Sequence, residues 1–581
     1  AGDSFTGTDA TNNTLIGYDA GTAITQGDYN TAVGKSALTA STTATGNTAL
    51  GYQALRLTTG SNNTAVGTSA MENNVGGQAN VAVGIDASQD NTTGSNNVSV
   101  GYKALENNET GGNNTAIGYQ TLKYTTGNAN TSVGYQSMTD NTSGVYNTAL
   151  GNGALHSNVV GDTNVAVGYQ ALNANTDSDH NTAVGYKALH LYDNTTDNFD
   201  ALNTALGYEA GYNTTGAANR NTFIGGIAGK GNTTGELNTA IGYHALHANQ
   251  TGDRNVAIGD YTLQNFTGSS TVAIGEFALQ ACTTGEENTA IGHRSLYTNV
   301  DGDKNTAVGY KALYANTADG NTAVGWEAGG DNSSGTDLTA VGYQAAHEQT
   351  TAVSNTAIGK TALYWNHYGD RTTAIGAEAG YSYNPADGVG DCTFVGYRAG
   401  YDSYQGAGHN THIGSQAGKV GSSGEYNTSV GSHAFYSNAL GDYNVAVGYK
   451  ALYTFNADTD THGWNTAVGA QAGEGLTTGT YNTVVGIQAL DAPSGTGDHN
   501  VAIGRMALTT NTVSSYNVAV GSSALATNLT GEHNTALGHG ALYYNSTGDN
   551  SVAVGGNALY NQTPAGGASV DMYNVAVGYD A

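Results

Sequence analysis

The chain has 581 residues, 85 of them glycine and only 3 proline, with 11% charged residues and a formal charge of −29. Glycine without a Gly-X-Y period excludes collagen, and so few charges exclude a charge-rich disordered chain. The acidic balance argues against nucleic acid and anionic membrane surfaces as partners, and no apolar run approaches the ~18 residues of an inserted span.

One unit recurs along the chain. It reads Asn-(Thr/Val)-Ala-(Val/Ile/Leu)-Gly-Tyr-x-Ala-Leu and then a polar loop such as Asn-Thr-Thr-Gly-Asp. With the motif glycine as position 0, the series opens at Gly17, Gly34, Gly51 and Gly67. It runs through Gly151, Gly168 and Gly185 to Gly578, 33 copies in all. Most steps are 17 residues. Position −3 is always Thr or Val and −1 always Val, Ile or Leu, β-formers bounded by glycine and turn residues, so each unit predicts a short strand. The period is too short for two packed helices and fits one coil of a solenoid stacked at the strand spacing. The expected fold is all-β, a parallel β-solenoid (β-roll) of about 33 coils, as one continuous array over residues 1–581. The longer steps 185→207, 376→396, 448→469 and 555→578 leave the strand motif intact and predict protruding loops between +4 and −4.

Departures from the motif predict packing. Position −2, normally Ala or Ser, is bulkier at Leu15, Phe223, Phe394, His412 and Val484. Four of these share a coil with glycine at +4, where Leu is usual: Gly21, Gly229, Gly400 and Gly418. Volume gained at −2 and lost at +4 places both in one core. Strand neighbours alternate faces, so −3 and −1 point the other way. A −1 that is never polar predicts that this second face is covered, by another chain or by the coil's own loop. Position −4 is Asn in 28 of 33 copies, which predicts an amide ladder along the stack.

No HExxH-like, Cys/His, GxSxG or Walker constellation occurs, so neither enzyme activity, catalytic residue, metal nor cofactor is expected. Cys282 and Cys392 lie too many repeats apart to suggest a disulfide. Two binding features remain. Tyrosine at +1 (Tyr102, Tyr119, Tyr135, Tyr169, Tyr186) predicts a rail of rings that could stack on sugars or simply fill gaps between coils. Sequons at Asn91, Asn194, Asn213, Asn232, Asn249, Asn528 and Asn545 are possible glycan attachment sites if their loops are exposed.

The stretches "NTAVGYKALHLYDNTT" and "NVAVGYQALNANTD" resemble the head repeats of trimeric autotransporter adhesins. They also resemble the "GYQAL…NTTG…NTAVG" repeats of phage and bacterial tail-fibre-like surface proteins. The resemblance implies a left-handed parallel β-roll assembled as a trimer. The expected function is a structural extracellular or cell-surface fibre or adhesin shaft. The alternative is a virion tail-fibre shaft that binds a host receptor or glycan. Expected partners are further copies of the chain, as a homotrimer or stacked head to tail, and surface glycans. Head-to-tail stacking follows because Ala581 placed before Ala1 continues the repeat with a step within the range seen inside the chain.

Overall fold

The computed structural model describes residues 10–193, 200–386, 388–404, 408–421, 423–457, 463–562 and 570–581. The chain divides into two compact units, Ala1–Asn288 and Thr289–Ala581. Each is a parallel β-solenoid, and no helix occurs among the described residues. One three-residue strand forms per repeat, from −3 to −1, because β-branched residues flank a small inward residue and the glycine ends the strand. The first unit runs from strand Thr14–Ile16 to Val272–Ile274, the second from Thr289–Ile291 to Val575–Val577.

Successive strands pair in register, like position on like position. Thr148, Ala149 and Leu150 lie against Val165, Ala166 and Val167, and these against Thr182, Ala183 and Val184. Register survives the four long steps: Thr182 pairs with Thr204, Thr373 with Thr393, Val445 with Thr466 and Val552 with Val575. The strands on either side of each insertion are therefore intact, and residues 194–199, 387, 458–462 and 563–569 of these steps lie outside the described residues.

The core is thin and apolar. Ala at −2 and +3 and Leu at +4, such as Ala166, Ala171 and Leu172, are fully buried. Between these positions the backbone is unusual. Residues at +2 and +4 are left-handed even when they are not glycine, as at Gln170 (φ 50°) and Leu172 (φ 51°). Each such residue costs about 1–2 kcal/mol. The conformation turns successive amides to opposite neighbours: the Gln170 N–H donates to the Asn152 carbonyl of the preceding coil, and the Leu172 N–H to the Ala188 carbonyl of the next, both at 2.9 Å.

Packing at −2 and +4 follows the expected compensation. A β-carbon on Gly229 would lie 2.3 Å from the Phe223 ring, one on Gly400 2.3 Å from Phe394, one on Gly418 2.5 Å from His412 and one on Gly21 2.6 Å from Leu15. The compensation also reaches the neighbouring coil. Gly211 and Gly380, at +4 of the preceding coils, face the other edges of Phe223 and Phe394 at 2.7 and 2.8 Å. Gly329 makes room for Leu338, which replaces the usual asparagine at −4 (3.1 Å).

The asparagines at −4 form a ladder of a kind different from stacked amides. Each Oδ1 accepts the backbone N–H of the next −4 residue, as Asn130 does from Asn147 (2.9 Å) and Asn147 from Asn164 (2.8 Å). Most Nδ2 groups donate to a loop carbonyl of the next coil, as Asn147 does to Gly161 (2.7 Å), while Asn181 and Asn444 donate to the preceding Asn164 and Asn427 Oδ1 (3.2 and 3.1 Å). These bonds satisfy buried backbone groups that a three-residue strand leaves over. The position tolerates exceptions because the donor is backbone: the N–H of Leu338 still bonds Asn321 Oδ1 at 2.9 Å. Cys392 also occupies −4, and its buried Sγ accepts the Asn410 N–H at 3.4 Å. Neither Cys392 nor Cys282, also buried, forms a disulfide.

His412 is the one ionisable group at −2. It is buried, stacks on Phe394 at 5.7 Å and shares a 2.8 Å hydrogen bond between Nδ1 and Ser429 Oγ. Burial pushes its imidazole down to about 4. The unfolded chain, with an ordinary value near 6.5, therefore binds the proton more readily than the folded one. Its contribution to stability is complete above about pH 6.5, is lost as pH falls from there towards about 4, and amounts to on the order of 3 kcal/mol. Urea unfolding of His412→Phe should show a correspondingly smaller drop between pH 7.5 and 4.5 than the parent chain. Equal drops would contradict this.

Candidate functional surface

Because −4, −2 and 0 point inward, −5, −3, −1 and +1 point outward and repeat along each unit as columns. The two central columns form a β-sheet face of Thr or Val beside Val, Ile or Leu, with no charged residue in any copy. The described loops leave it open. Leu150 and Leu206 at −1 are each 48% exposed, and most residues at −3 are half-buried. The expectation that the coil's own loop covers this face is therefore not met among the described residues.

The +1 tyrosines form two runs rather than one rail. Tyr102, Tyr119 and Tyr135 stack at 5.2 and 5.0 Å; Tyr169, Tyr186 and Tyr208 stack at 5.2 and 5.2 Å. Asn152 at +1 separates them. Their planes lie within 20° of parallel, so interior rings spend both faces on each other. Sugar stacking needs a free ring face, which Tyr119 and Tyr186 do not offer, while Tyr102, Tyr135, Tyr169 and Tyr208 at the ends of the runs stack on one side only.

A longer aromatic column at −5 escaped sequence reading. His409, Tyr426, Tyr443, Trp464, Tyr481, His499, Tyr516 and His533 follow one another in consecutive coils of the second unit, with centroids 4.6–6.2 Å apart. All are exposed and all are left-handed, a conformation that asparagine adopts more cheaply. Their spacing in the sequence was the available signal. Ring stacking between coils, about 0.5–1.5 kcal/mol per pair, offsets the backbone strain.

The sequons need correction. Asn91, Asn232, Asn249, Asn528 and Asn545 all stand at +7, and all are buried. Each donates Nδ2 to the carbonyl three residues on, at 2.9, 3.0, 2.9, 2.7 and 2.8 Å. Asn91 also donates to Asn74 Oδ1 (2.6 Å) and Asn249 to Asn232 Oδ1 (3.1 Å), a second, true amide ladder. The nitrogen that would carry a glycan is thus sequestered in the folded coil. Asn213 is half-buried, and Asn194 lies outside the described residues.

Two groups bring a histidine beside two acids, Asp179–His180–Asp200 and Asp331–His347–Glu348, each offering three atoms within 4.8 Å of one another. Burial, the largest influence, holds the Asp179 carboxyl above its ordinary value, opposed by the Asp162 N–H at 2.7 Å. In a cavity of about 450 Å³, Asp491 is pushed up to about 6, by burial first and then by the charge of Glu474. Glu474 is itself engaged by Lys450 (2.9 Å) and Gln471 (2.6 Å). The sequence matches no known family model and no curated protein.

Proposed function

We propose that the chain is a structural, extracellular or cell-surface shaft that associates side by side with further copies of itself. The observation that carries this is the uncovered apolar face formed by −3 and −1. It is self-complementary, since every copy presents the same columns at the same spacing, and the charge of −29 lies outside those columns. Exposed apolar surface that continues from coil to coil marks an interaction site. Internal hydrogen bonding also favours structural work: the asparagines at −4 and +7 are buried, hold the coils together and are closed off from solvent. The tail-fibre reading, with a glycan on the +1 tyrosines, has less support because the interior rings Tyr119 and Tyr186 have both faces stacked on neighbours.

Replacing Val324, Val341 and Ile358 by lysine puts three adjacent charges on the face while leaving the core intact, since these side chains point outward. Sedimentation equilibrium should show the parent chain as a multiple of 59.0 kDa. The triple variant should be folded and at least about 100-fold weaker in association, from like-charge juxtaposition. A parent chain that stays monomeric at every concentration, or a variant that associates equally well, would refute the proposal.

A further inference from the structure

Acids at +6 are rare, and they meet in one place. Only five copies carry one, Asp90, Asp140, Asp331, Glu348 and Asp402, and only Asp331 and Glu348 fall in adjacent coils. The strands of these two coils, Thr322–Val324 and Thr339–Val341, pair in register. Like charges placed one above the other in this way repel. His347 stands beside them, and one atom each of Asp331, His347 and Glu348 lies within 4.8 Å of the other two. Gly330 allows the approach. With no side chain at +5 of the preceding coil, the imidazole leans over that coil, where a β-carbon on Gly330 would meet its Cδ2 at 3.2 Å and its Nε2 at 3.3 Å. The ring also stacks on Tyr364 of the following coil at 5.3 Å.

The two ring nitrogens face different surroundings. Nε2 lies 3.5 Å from Glu327 Oε2, and that oxygen accepts from Gln344 Nε2 at 2.9 Å. A carboxylate on this side favours the proton on Nε2 and leaves the lone pair on Nδ1. Nδ1 is buried and makes no hydrogen bond, yet Glu348 Oε1 lies 3.3 Å from it. An imidazole lone pair against a carboxylate is repulsive, and a cation between the two reverses the sign. Two ligands of one tetrahedral zinc ion, each about 2.0–2.1 Å from it, stand about 3.3 Å apart. Glu327 is placed as the outer carboxylate that metal-binding imidazoles carry on their second nitrogen. Lys311 lines the adjoining cavity with Glu327 and Asp331 and stands over the Tyr314 ring at 5.3 Å. Three carboxylates against this one lysine leave the place anionic. No spacing in the sequence announces the set, since Asp331 reaches the other two only across the stack of coils.

We propose that Asp331, His347 Nδ1 and Glu348 bind one Zn²⁺-like divalent transition-metal ion, which clips two adjacent coils together, and that Glu327 orients the imidazole from its far side. An imidazole with two carboxylates suits such an ion better than Ca²⁺ or Mg²⁺, which take oxygen ligands. The probe is Zn²⁺ alone, titrated against a chromogenic chelator into the intact chain after its metals have been stripped. The parent should show one site about tenfold or more tighter than any other, and Glu327→Ala should weaken it by about 10–100-fold. His347→Gln, Asp331→Asn and Glu348→Gln should each abolish it. Asp331 is exposed, so Asp331→Asn carries the test if His347→Gln does not fold. Co²⁺ in place of Zn²⁺ should give the intense visible bands of a tetrahedral site in the parent and not in these three variants. His180→Gln, which breaks the Asp179–His180–Asp200 group, should leave the site unchanged. Equal uptake by the parent and Asp331→Asn, or loss of the site in His180→Gln instead, would overturn the proposal. So would weak uptake spread over many sites, which is adventitious binding to exposed acids.

Discussion

Gly168→Ala is expected to unfold its part of the chain far more readily than any outward substitution. Gly168 has φ +131°, in a region open essentially to glycine alone. A β-carbon there would lie 2.4 Å from the carbonyl oxygen of Gly185 in the next coil and 2.7 Å from its carbonyl carbon. Neither atom can yield, because both belong to backbone held in the stack. Backbone strain of about 1–3 kcal/mol and steric overlap of about 1–3 kcal/mol together predict a loss of about 2–6 kcal/mol. Gly153→Gln is the control. Gly153 stands at +2, its φ of +62° is one that glutamine adopts at +2 in other coils, and its nearest neighbour would be 3.4 Å away. In urea unfolding the control should stay within about 1 kcal/mol of the parent. A Gly168→Ala chain as stable as the control would contradict the stacking geometry.

Phe223→Ala should cost about 3–5 kcal/mol, since it empties a pocket that two glycines help to shape. Adding Gly229→Leu should recover part of the loss. Leucine at +4 with alanine at −2 is the ordinary pairing, seen next door as Ala240 and Leu246, and Leu246 has φ 51° where Gly229 has φ +57°. Recovery should be incomplete, because Gly211 still faces the vacated ring position. Gly229→Leu alone should be worse than either, with its β-carbon 2.3 Å from the phenylalanine ring. A double variant no more stable than Phe223→Ala would show that the two positions do not share a pocket.

These two experiments rest on features that were legible in the sequence, and the reason is steric. Motif glycines recur because the next coil's carbonyl forbids a side chain, and −2 and +4 covary because they fill one volume. Other features were hidden. Nothing in a leucine such as Leu172 announces a left-handed backbone, since its local propensity opposes it and only hydrogen bonds to neighbouring coils impose it. The sequons misled because Asn-Thr-Thr reads as an exposed loop, whereas stacking turns Asn91 and its equivalents inward. The −1 column misled in a different way. An apolar residue at −1 in every copy implies burial, yet within one chain Leu150 and Leu206 are each 48% exposed, because the described loops do not fold over this face.

One repeat, one coil, in register is the claim on which everything else depends, and disulfide formation between engineered cysteines tests it most directly. Thr148 and Val165 are register partners on adjacent coils, and both point outward. One strand spacing, about 4.8 Å, lies within reach of a disulfide, whereas two spacings exceed the limit of about 7 Å. Thr148→Cys/Val165→Cys should therefore cross-link on mild oxidation without loss of stability, while Thr148→Cys/Thr182→Cys stays reduced. A first pair that stays reduced, or a second that cross-links as readily, would contradict the coil register.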